Sequence, residues 1–183
     1  MKILLTIEDI SIVGGVSSVV RNLANALSEL YEVEVLSFYQ KNEKLFYEFD
    51  PKLRLSFYHT HSQSLKQEKD KRSFFKRLFY KNIYKFIISY KLKKKASKDK
   101  IDFIIASDWV FFPFFKNKST SYIKIMHGAF VRYNSRNKFF DTLVILSSKE
   151  LKLWQAHCNN VKVIANFLPQ IPSQDTNYAK YTR

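Results

Sequence analysis

Residues able to do chemistry fall repeatedly at the ends of apolar runs. His127-Gly128 closes the run Ser121-Tyr-Ile-Lys-Ile-Met126, and an imidazole at the open end of a buried strand can donate to a phosphate or a sugar hydroxyl. Gly14-Gly15 stands before an amphipathic helix, where close backbone approach and unpaired first-turn N–H groups suit an anion. Glu8, Asp9, Ser107-Asp108-Trp109, Ser147-Ser148 and Asn166 follow other apolar runs in the same way. Several have a plainer alternative. The two glycines also suit a tight turn, Asp108 and Ser147 are favoured helix caps, and Asn166 is a turn former.

The elements that must position these residues are strands alternating with helices. Ile3 to Ile7 is a short apolar run of the kind buried on both faces, and Val16, Val19, Val20, Leu23, Ala24, Leu27 and Leu30 then recur at helical spacing. Further strands are expected over 33–38, 52–58 (an edge strand), 101–106, 121–126, 141–146 and 161–164, with a helix over 73–90 and another capped by Ser147 or Ser148, Glu150 lying in its first turn. Strand and helix in alternation predict an α/β, Rossmann-like, doubly wound parallel sheet, whose ligands bind beyond the carboxyl ends of the strands. Residues 1–169 form this domain, and 170–183 read as a linker or frayed tail.

At 183 residues there is room for one domain of good size. Lysine and arginine number 31 against 16 acids, a formal charge of +15, so anionic partners are expected. Cys158 is the only cysteine, which excludes an internal disulfide, argues against structural zinc and suits a reducing, cytoplasmic setting. His59 and His61 on a polar loop lack a third metal ligand, and His157 beside Cys158 reads as a helix end. Neither a signal peptide nor a spanning helix is expected.

Between residues 71 and 100, twelve cations face a single acid, Asp99. Lys71, Arg72, Lys76, Arg77, Lys81, Lys85, Lys93, Lys94 and Lys95 are interleaved with aromatics that include Phe75 and Phe79, the pattern of a helix lying on an anionic membrane surface. The alternative is that the aromatic stripe packs on the sheet while the lysines are solvated. Nucleic acid, which basic and aromatic residues could also grip, is the disfavoured partner. A nicotinamide site fails, because no G-x-G-x-x-G follows the first strand and Phe38-Tyr39-Gln40 offers no acid for a ribose.

Taken together, the loop and helix Gly14-Gly15-Val-Ser-Ser-Val-Val-Arg-Asn-Leu-Ala, the strand Ile101–Ala106 with Asp108-Trp109, Met126-His127-Gly128, Leu143-Val-Ile-Leu-Ser-Ser148 and Val163-Ile-Ala-Asn166 resemble the N-terminal domain of glycosyltransferase family 4, one half of a GT-B architecture. The resemblance implies transfer of a sugar from a nucleotide-sugar donor to a glycan or lipid-linked acceptor, in surface polysaccharide or glycolipid synthesis, with retention and without metal or other cofactor. It implies that Gly14 and Gly15 lie near the donor diphosphate and that His127 faces the reacting sugar, with Asp9, Asp108, Trp109, Gly128, Ser147 and Asn166 around the cleft. The family's Pro-Asn-Gly is here Ala165-Asn166-Phe167, and its C-terminal donor-binding domain is absent from this chain, so activity requires that domain, fused or separately supplied. The expected location is the cytoplasm, peripheral at the inner face of the membrane. A different class of function remains beside it: a catalytically silent domain that docks on a membrane or a partner enzyme.

Overall fold

A computed structural model describes residues 1–59 and 78–165 and, of Tyr80 and Lys81, the backbone. Seven parallel strands make one sheet: β1 (Lys2–Asp9), β2 (Glu32–Tyr39), β3 (Arg54–Phe57), β4 (Phe103–Ala106), β5 (Ser121–Met126), β6 (Thr142–Ile145) and β7 (Val161–Val163). Their order is β3-β2-β1-β4-β5-β6-β7, so the winding reverses between β1 and β4, with Leu5 paired to Val35 on one side and Ile105 on the other. This is an α/β Rossmann-like fold, as the alternation of apolar runs predicts, and β3 is the edge strand expected.

Helix α1 (Gly15–Ser28) lays Val20 and Ala24, both fully buried, on the sheet face formed by Ile3, Leu5, Ile7, Val33 and Val35. The opposite face carries Leu4, Phe38, Ile104, Tyr122 and Leu143 and is covered by α2 (Tyr84–Lys98). A single π turn, Phe79–Ile83, leads into α2. The short α3 (Leu151–Gln155) follows a 3-10 turn at Ser148–Glu150, where Ser147 Oγ accepts from Lys149 N at 3.3 Å.

Helix α2 departs from the sequence expectation twice. It runs on to Lys98 rather than ending near Tyr90, because Ile88, Leu92 and Ala96 continue a buried stripe beneath the lysines. Of the two readings of the aromatic stripe, packing on the sheet does not hold for the side that continues from Phe79. Tyr84, Ile88, Leu92 and Ala96 face inward, whereas Ile83, Phe86, Ile87 and Tyr90 are exposed, Ile83 at 53%. Two overlapping apolar stripes fit the same segment, and the one through Tyr84, Ile88, Leu92 and Ala96 is buried. Lys95, expected on the membrane side, instead holds the buried Glu34 of β2 at 2.9 Å and Asp99 at 2.8 Å.

Candidate functional site

A cleft of about 430 Å³ opens at the carboxyl edge of the sheet, where the winding reverses. Its wall comes from the end of β1 (Ile7, Glu8, Asp9), the loop and first turn of α1 (Ile12 to Ser17), the loop after β4 (Ser107, Asp108, Trp109) and the end of β5 (Lys124, Ile125, His127). The fold thus brings together Gly14, Gly15, Asp9, Asp108, Trp109 and His127. Gly128 and Ser147 are exposed and lie outside the cleft wall, so Ser147 acts as a cap here. Asn166, the 170–183 tail, His61, the basic residues Lys71, Arg72, Lys76 and Arg77 and the aromatic Phe75, together with the side chain of Lys81, lie outside the described residues.

Two of the carboxylates are occupied by the protein itself. Asp9 Oδ1 accepts from the backbone and hydroxyl of Ser11, at 2.9 and 2.6 Å, and its Oδ2 accepts from Lys41 N at 2.9 Å. Asp108 Oδ1 accepts from Val110 N and Phe111 N at 2.8 and 2.6 Å, while Oδ2 takes the Thr6 hydroxyl at 2.5 Å. Both acids therefore shape loops, and no helix follows Asp108 before β5, so it closes a turn through the Val110 and Phe111 amides rather than capping a helix.

The glycine loop has a different character. Gly14 is extended, with φ 174°, a conformation open to any residue, and a Cβ placed on Gly14 or Gly15 would meet nothing within 4 Å. Neither packing nor backbone geometry demands glycine there. The amides of Gly15, Val16 and Ser17 open α1 without an intrahelical partner, and Gly14 supplies no side-chain cap. Only at Gly128, with φ +90°, does the backbone itself call for glycine.

Lys124 is the residue that sequence reading missed. It is 1% exposed, shares a sheet face with Tyr122, and donates from Nζ to the Asp108 carbonyl while lying 4.8 Å from the Trp109 ring centroid. Burial pulls its pKa down to about 8, against the opposing pull of Asp108 and Glu8. The period-2 alternation groups Lys124 with Tyr122 and Met126, and both of these are buried in the structure. His127 is held neutral, its pKa lowered to about 4 by burial and then by the Lys124 charge. Its Nε2 is buried with no hydrogen-bond partner among the described residues.

The remaining histidines are placed elsewhere. His59 bonds the Tyr84 hydroxyl at 2.7 Å and stacks on Tyr39. His157 stacks on Tyr133 at 4.7 Å after the end of α3, and Cys158 Sγ lies 3.1 Å from the Tyr133 hydroxyl. Among the described residues no three histidines, cysteines or carboxylates gather to hold a metal ion, and no helix is long and apolar enough to cross a membrane.

Neither a family model nor a curated protein sequence matches the chain. Among solved structures it is similar to a glycosyltransferase from Rickettsia africae ESF-5, with a TM-score of 0.51 and 13% identity over 90% of this chain. The chain spans 42% of the length of that structure. At such low identity the likeness is one of fold, and it agrees with the seven-stranded parallel Rossmann-like sheet.

Proposed function

We propose that this chain is the N-terminal, acceptor-side half of a retaining, metal-independent glycosyltransferase of GT-B arrangement. It would move a sugar from a nucleotide-sugar donor to a glycan or lipid-linked acceptor, in surface polysaccharide or glycolipid synthesis at the inner face of the membrane. The observation that carries this reading is one cleft lined both by the Gly14-Gly15 loop and by His127, whose Nε2 has no hydrogen-bond partner among the described residues. The solved structure it resembles is described as a glycosyltransferase, and this chain matches less than half of it, in keeping with one lobe of a two-lobed enzyme.

Each part has a task that follows from its chemistry. The first-turn amides of α1 and the positive end of its dipole receive the donor diphosphate, and the missing side chains at positions 14 and 15 let it approach the backbone. A neutral imidazole cannot neutralise a phosphate, so His127 serves the sugar, fixing its orientation through a hydrogen bond. Burial, and after it the Lys124 charge behind the cleft, keeps that imidazole unprotonated. In the complete enzyme, with the donor-binding domain fused or supplied, His127→Ala lowers turnover about 100-fold or more with an unchanged melting temperature. Near-normal turnover would refute the assignment.

One observation favours the second reading, a catalytically silent domain that docks on a membrane or partner. The outer side of the π turn and α2 exposes Ile83, Phe86, Ile87 and Tyr90 among Lys93 and Lys94. The same side serves the first reading as well, since a lipid-linked acceptor must be met at a surface.

A further inference from the structure

Ser107 is 8% exposed, and its Oγ is buried without a hydrogen-bond partner among the described residues, as is His127 Nε2. Four other buried hydroxyls at the strands and their ends are satisfied: Thr6 gives its proton to Asp108, Ser11 to Asp9, Ser37 to the Tyr39 carbonyl and Thr120 to the Ile101 carbonyl. An orphaned hydroxyl in so well-paired a setting calls for a physical reason. Its position supplies one. Ile105 pairs with Ile123 across β4 and β5, and the same alternation carried just past the strand ends places Ser107 two residues after Ile105 and His127 four after Ile123. Both orphaned atoms therefore belong to the face that looks toward the first turn of α1, and both residues line the cleft.

We propose that Ser107 is a substrate-binding residue that, with His127, holds neighbouring hydroxyls of a neutral polyol ring. The inference rests on the reading of the cleft as a sugar-transfer site and adds a contact to it. Each atom belongs to a group able to donate or accept, which matches the hydroxyls of a sugar. An anion is disfavoured at this spot, because His127 is neutral and the carboxylates of Glu8 and Asp9 share the wall. The anionic part of a donor belongs at the helix mouth instead, leaving the ring to the Ser107 and His127 pair.

The test uses the full chain labelled for NMR at the histidine rings and backbone amides. It is titrated with the methyl glycosides of glucose, galactose and mannose, and separately with inorganic pyrophosphate. At least one glycoside is expected to shift the His127 ring and the Ser107 amide together. Ser107→Ala is expected to weaken that binding about tenfold while leaving the melting temperature the same or higher, since a hydroxyl without a partner adds nothing to the fold. Silence of both residues toward all three glycosides overturns the proposal. So does unchanged affinity in Ser107→Ala, or a melting temperature several degrees lower, which would mean a structural role. The pyrophosphate arm reports on the underlying reading by itself. Shifts at Gly14 and Gly15 with silent glycosides leave the transferase reading standing and remove only the Ser107 contact, whereas silence in both arms removes both.

Discussion

Thr6 on β1 gives its hydroxyl proton to Asp108, 102 residues later, at 2.5 Å in a fully buried contact. The bond pins the loop after β4 to the central strand at the point where the winding reverses. Asp108 meanwhile accepts from two backbone amides, so one side chain closes the turn and ties it to the sheet.

Asp108→Ala should therefore destabilise the protein by about 3 kcal/mol, because it strands the Val110 and Phe111 amides and the Thr6 hydroxyl in a buried place. Urea unfolding followed by circular dichroism measures this. A loss below about 1 kcal/mol would mean that water or another side chain takes over the three donors.

The neutrality of His127 has a pH signature. Its pKa is about 4 in the folded protein against an ordinary 6.5, so on acidification the unfolded chain takes up a proton that the fold refuses. Stability from this residue is complete above pH 6.5 and drains away as pH falls toward 4, by about 2 kcal/mol once the ring's partial exposure is allowed for. Urea unfolding at a series of pH values should show His127→Gln losing that portion of the acid sensitivity. An identical slope in both proteins would contradict the shifted pKa.

Lys124→Met should raise the His127 pKa, because the cation behind the imidazole is gone, and should lower stability, since the buried Asp108 carbonyl loses its donor and Asp108 and Glu8 lose their cationic neighbour. A ring titration by NMR checks the first part and thermal unfolding the second. An unmoved His127 pKa would assign the whole shift to burial.

The glycines should separate by cause. Gly15→Ala meets no steric obstacle and should stabilise the helix start by about 0.5 kcal/mol, whereas Gly128→Ala, with open space but φ +90°, should cost about 1 kcal/mol. Equal effects in thermal melts would undo the distinction between a glycine held for the ligand and one held for the backbone.

Vesicle sedimentation at low salt tests the outer side of α2. The chain should pellet with anionic vesicles and not with neutral ones, and Ile83→Glu, at a 53% exposed position, should weaken pelleting without unfolding the helix. Equal binding to both vesicle types, or to neither, counts against a membrane role.

The sheet was readable from sequence because each strand is a compact run of branched and aromatic residues, and β5, Ser121–Met126, matches its expected bounds residue for residue. The segment 73–90 was harder, since Phe79, Phe86 and Tyr90 form as regular a stripe as Tyr84, Ile88 and Leu92, and only the shape of the facing sheet decides which goes in. At the site, His127 and Gly14-Gly15 stood out by type and place. Lys124 and Ser107 did not. A lysine within an apolar strand reads as a solvent-facing residue until the opposite face is known to be covered, and an orphaned hydroxyl exists only once every neighbour's bonds are accounted for.

Lys85, on α2, reaches across to the Trp109 carbonyl at 2.8 Å and rests its ammonium over the Phe112 ring. Helix α2 and the loop that walls the cleft therefore meet through one side chain, and Lys85 is the point at which the two adjoin.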